Sequence, residues 1–135
     1  MEPWRRCFRD GFAPHLPTAG LEALRAALET DDPRLIQGCT AHTEHCYHGP
    51  RFMQPVTGAC AVGYCWWQGD DVRTVEDLES QFSISCWEAD RLLGEHAANR
   101  FFPNWFDETP RDEMRRLLLP EVVLALEERA ETVPG

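Results

Sequence analysis

The stretch TVEDLESQFSISCWEADRLLG, Thr74 to Gly94, carries most of what can be read about the fold. Thr74 with Asp77 three residues on has the form of a capping box, with Asp where Glu or Gln is usual. Such a pair supplies partners for N–H groups that every helix start leaves unbonded. Val75, Leu78, Phe82, Cys86, Ala89 and Leu93 then recur at steps of three and four, forming one apolar face at the helical period. Gly94 stands where a helix end takes glycine, because the left-handed turn there excludes a Cβ. The pattern predicts an amphipathic helix of about five turns over 74–93. Its apolar face requires other elements to bury it.

The flanking sequence supplies them as helices. Upstream, ACAVGYCWWQ (Ala59 to Gln68) is short enough for a strand, but Ala59, Ala61 and the following Gly69 favour a buried helix. Further upstream, Thr18 heads a helix to about Glu29, with Leu21, Leu24 and Leu28 on one face. Asp32 and Pro33 then have the form of an N-cap and first position of a second, short helix that Gly38 stops. Downstream, a helix from about His96 to Phe106 is bent or halved by Pro103. Thr109-Pro110 opens the last helix, about 110–130, with Asp112 and Glu113 at the positive end of its dipole. Met114, Leu118, Val122 and Ala125 form its apolar face, and Pro120 predicts a kink or break over 116–119. Residues 39–58, with Gly49-Pro50, Pro55 and Gly58, lack periodicity and read as a structured loop. The expected fold is mainly α: one compact helical domain over 1–135, with five to six helices and one irregular Cys/His-containing loop. A chain of 135 residues accommodates one such core.

Composition removes several functions. All 13 basic residues are arginine, so chemistry that needs an ε-amine is absent, including the phosphate-loop lysine and the Schiff-base lysine. Serine occurs only at 80, 83 and 85, outside any Gly-x-Ser-x-Gly elbow. The net charge of −10 opposes nucleic acid and anionic membranes. The first ten residues are charged, no apolar run suits a signal or a span, and six cysteines read as thiols of a reducing compartment. The expected location is cytoplasmic.

One constellation carries chemistry. Cys39, His42, His45, Cys46 and His48 fall within ten residues, and thiolate and imidazole are the ligands zinc prefers. The candidate metal set is Cys39, His42, His45 and Cys46, with Cys60 and Cys65 as a further pair. On a helix, Cys39, His42 and Cys46 share one face. In addition, His42-Thr43-Glu44 followed by Cys60-x4-Cys65 resembles the His-x-Glu and Pro-Cys-x-x-Cys signature of zinc deaminases. That resemblance implies zinc on His42, Cys60 and Cys65, with Glu44 moving the proton. Ala59 stands where the signature has proline, and the cysteine spacing is wider. Elsewhere, Cys86 on the apolar face reads as a buried thiol, whereas Cys7 beside Arg5, Arg6 and Arg9 has a setting that lowers a thiol pKa. Partners for a Cys/His nucleophilic pair would be His15 or His96.

Aromatic residues suggest the other function. Trp66 and Trp67 are adjacent, so they cannot both face one core, and Trp87 lies off the Val75-to-Leu93 face. Exposed tryptophan anchors protein interfaces. Trp66 and Trp67 are therefore the candidate partner-binding residues. The expectation is a non-enzymatic interaction module with aromatic anchors in an acidic surface, suited to a protein partner with a basic surface. The alternative is a zinc protein, structural or deaminase-like, using residues 39–65.

Overall fold

The computed structural model describes residues 1–43 and 47–132 and is 67% helix and 5% strand, a mainly α fold. In chain order the elements are α1 (Pro3–Arg6), α2 (Thr18–Thr30), β1 (Ala41–His42), β2 (Gly58–Ala59), α3 (Ala61–Gly69), α4 (Val75–Leu93), α5 (Phe101–Glu108) and α6 (Arg111–Thr132). Buried side chains from all six helices join in one core, with Trp4, Leu21, Val62, Leu78, Phe102 and Met114 each representing one helix. Among the described residues no helix is long and apolar enough to cross a membrane.

Helix α4 forms as its sequence dictates. Thr74 Oγ1 accepts the Asp77 N–H at 3.3 Å, Gly94 takes φ +70°, and Leu78, Ala89 and Leu93 are buried. The segment 61–69 is indeed helical and buried over Ala61 to Cys65. It crosses α2 with backbones in direct contact: a Cβ at Gly20 would run into the carbonyl oxygen of Cys65.

The amino-terminal segment is helical too, although its arginines concealed this. Helix α1 continues as a π-helix over Cys7–Phe12, closed by Ala13 N–H donating to Phe8 O at 2.8 Å. Trp4, Cys7, Phe8 and Phe12 thereby all point into the core. Trp4 stacks on Trp105 of α5, with centroids 3.6 Å apart. The arginines leave in the other direction. Arg5 and Arg9 reach Glu121 of α6, and Arg6 donates to Leu93 O.

One local expectation needs correction, and another is narrowed. No helix follows Pro33: Asp32 Oδ1 accepts the Arg34 N–H at 2.9 Å in a turn, and the next backbone groups pair with β2 instead. Ile36 N–H donates to Ala59 O and Ala59 N–H to Arg34 O, both at 2.9 Å. The cap was correct in chemistry, but sheet pairing took the backbone groups a helix needs. In α6, of the kink or break expected at Pro120, the break does not occur, since one helix spans Arg111–Thr132. Pro120 offers no N–H to the Arg116 carbonyl, and both residues are exposed. The loop before α3 holds a one-turn 3₁₀ helix, Arg51–Met53, and an antiparallel pair with Ala41 opposite Ala59 and His42 opposite Gly58.

Candidate functional site

The cysteines and histidines are dispersed by the fold. Cys39 lies exposed in the turn before β1, and His42 is exposed on β1 with Nδ1 3.3 Å from Thr57 Oγ1. Glu44, His45 and Cys46 lie outside the described residues. Cys60 precedes α3 and Cys65 sits in its middle, both buried. Burial pushes the Cys60 thiol up to about 12 and the Cys65 thiol up as well, so both hold their protons. Among the described residues no three Cys, His, Asp or Glu side chains come together to hold a metal. In particular, His42, Cys60 and Cys65, the set implied by the deaminase resemblance, are not assembled.

The isolated thiols are equally quiet. Cys7 is buried and its Sγ–H donates to Ala98 O at 3.3 Å. Burial pushes it up to about 11, outweighing the nearby Arg6 charge, which lowers it. Burial likewise pushes half-buried Cys86 up to about 12.

One polar cluster inside the core had no sequence expectation. His15 Nε2 lies 2.6 Å from Ser85 Oγ, which also accepts the Trp66 Nε1–H at 3.3 Å. Ser85 falls on the apolar face of α4, four residues before Ala89, and that polar interruption was its signal. The Ser–His distance suits a nucleophile and base. With Ser85 only 1% exposed, however, no substrate reaches it. Burial holds His15 below its usual value, so it stays neutral near pH 7. The cluster orients Trp66 and joins α3 to α4.

Trp66 and Trp67 are both half-buried and engaged within the chain. Trp67 packs edge-on to Tyr64, centroids 5.8 Å apart, and Arg34 lies over its ring at 5.6 Å. The exposed aromatic surface is elsewhere. Trp87 is 67% exposed and Ile84, three residues earlier on α4, is 58% exposed. Phe52 and Met53 are exposed on the 3₁₀ turn, which packs by the first turns of α4 and leaves a groove lined by Phe52, Val75, Glu76 and Glu79. Glu76, Asp77 and Glu79 are exposed, and among the described residues none has an ion-pair partner.

Fold and surface together define a small helical domain whose outer α4 face carries unburied apolar side chains among unpaired carboxylates. No known protein family matches the chain, and no curated protein or solved structure is significantly similar to it.

Proposed function

We propose that this chain is a non-enzymatic protein-interaction module whose contact face is the outer side of α4, and whose partner presents a basic amphipathic helix. The carrying observation is the coincidence on one helix face of exposed Ile84 and Trp87 with unpaired Glu76 and Glu79. Glu76, Ser80, Ser83 and Trp87 follow at steps of four, three and four, a line about 16 Å long at 1.5 Å per residue. Three turns of a partner helix cover that length. Burying an aromatic side chain removes about 150–250 Å² from water, which makes Trp87 the natural anchor. The carboxylates, backed by a net charge of −10, attract lysine and arginine on the partner and disfavour an acidic one. Trp66 bonds to Ser85 on the inner side of α4, and Trp67 packs against Tyr64 and Arg34.

A labelled 14-residue peptide with a leucine stripe and lysines on the opposite flank is the direct probe, read by fluorescence anisotropy. Binding that weakens about tenfold in Trp87→Ala, and falls with added salt, is the expected result. Equal binding of a sequence-scrambled peptide of the same composition overturns the proposal, since charge alone then explains the signal. So does binding unchanged in Trp87→Ala. Thermal unfolding of each variant separates lost binding from lost folding. Trp87→Ala is expected within about 0.5 kcal/mol of the parent, as for a surface position.

A further inference from the structure

Behind α4, on the side away from Trp87, the packing leaves a cavity of about 130 Å³. Val62, Phe82, Phe102 and Phe106 line it, from three different helices. Its outer residues are Gly38, Cys39 and Asp107, all exposed. A space of about this size admits a molecule the size of benzene. The space therefore suits one small ring or branched alkyl group.

Its polarity is one-sided. Asp107 Oδ1 accepts the Gly38 N–H at 2.8 Å, which fixes the carboxylate at the mouth. An ionised carboxylate has about four acceptor sites. Asp107 has no ion-pair partner among the described residues, and no arginine lines the cavity. A ligand anion meets that fixed negative charge, whereas an ammonium is matched by it.

We propose that this cavity binds a small apolar primary amine, with its hydrocarbon group among Val62, Phe82, Phe102 and Phe106 and its ammonium on Asp107. The probes are benzylamine, benzyl alcohol and benzoate, which share a ring and differ in the head group. Each is titrated into the isotope-labelled full chain, following the Val62 methyl and the Gly38 and Thr40 amide resonances. The expected result is saturable shifts at these residues with benzylamine, binding about tenfold weaker with benzyl alcohol, and no saturation with benzoate; one charge-assisted hydrogen bond sets that ratio. Asp107→Asn keeps an acceptor for the Gly38 N–H and is expected to erase the amine's advantage while leaving benzyl alcohol unchanged. Alkylation of Cys39 by iodoacetamide is expected to slow as benzylamine saturates, because the thiol stands at the mouth. No saturation at Val62 with any probe, an amine preference that survives in Asp107→Asn, or shifts confined to Glu76 and Glu79 would each overturn the assignment.

Discussion

Replacing Glu121 by glutamine removes the charge that fastens the amino-terminal helix to α6. The Glu121 side chain is 3% exposed; its carboxylate accepts Arg5 Nη1 at 2.7 Å, Arg9 Nη2 at 2.8 Å and Arg9 Nε at 3.0 Å. Breaking a buried ion pair costs about 3–5 kcal/mol, because the surviving charges remain desolvated. Here the two arginine side chains are 22% and 33% exposed, so water recovers part of that loss. A cost of about 2–3 kcal/mol follows. At about 2.1 cal/mol/K per residue of unfolding entropy, the melting temperature falls by roughly 7–11 °C. Circular dichroism at several pH values is the assay. Burial alone would raise the Glu121 carboxyl, but the hydrogen bonds from Arg9 and Arg5 hold it below its usual 4.5. A folded-state value that is depressed gives stability above the unfolded value, and that stability is lost as pH falls through the folded one. The gap between parent and Glu121→Gln is therefore constant at neutral pH and closes in acid below 4.5. A change under about 1 °C at pH 7, or a gap undiminished in acid, would refute the reasoning.

Three further outcomes are expected. Gly20→Ala forces α2 away from α3, since its Cβ meets the Cys65 carbonyl; a loss of about 3 kcal/mol or failure to fold is expected, and an unchanged melting temperature would contradict the backbone contact. Burial lowers the His15 pKa below 6.5, so the unfolded chain takes up the proton first and stability declines as pH drops below 6.5 toward the folded value. His15→Gln is expected to flatten that decline, and an identical pH profile argues against it. The zinc reading of residues 39–65 predicts about one equivalent of metal in reduced, chelator-free protein, falling in Cys39→Ser and His42→Ala; elemental analysis that finds none, with none retained after zinc add-back, removes it.

The parts of the fold legible in sequence are those set by local hydrogen-bond supply and by periodicity. Thr74 and Gly94 close α4 because helix ends lack partners wherever they occur, and the three-four spacing between them selects the buried face. Helix α3 was legible for a related reason, its alanines and terminal glycine suiting close packing. At the proposed interface, Trp87 was visible as the tryptophan off the stripe. Trp66 and Trp67 were not distinguishable from it, because the groups that engage them come from other segments: Ser85 for Trp66 and Arg34 for Trp67.

The sequence by itself determined, to within a residue or two, where α2, α3, α4 and α6 begin and end, and that the chain carries a net charge of −10. Tertiary structure alone decided that the arginine-rich start of the chain is core, that Asp32 opens a turn rather than a helix, and that Cys60 and Cys65 are protonated interior thiols. In the first two cases the deciding partner is distant in the chain: Glu121 lies 116 residues from Arg5, and Ala59 takes the backbone bonds of Arg34 and Ile36. Local propensity is a matter of tenths of a kcal/mol per residue, whereas a buried charge or an unpaired backbone group costs one to several, at about the magnitudes seen in proteins. Where the two compete, the long-range partner prevails.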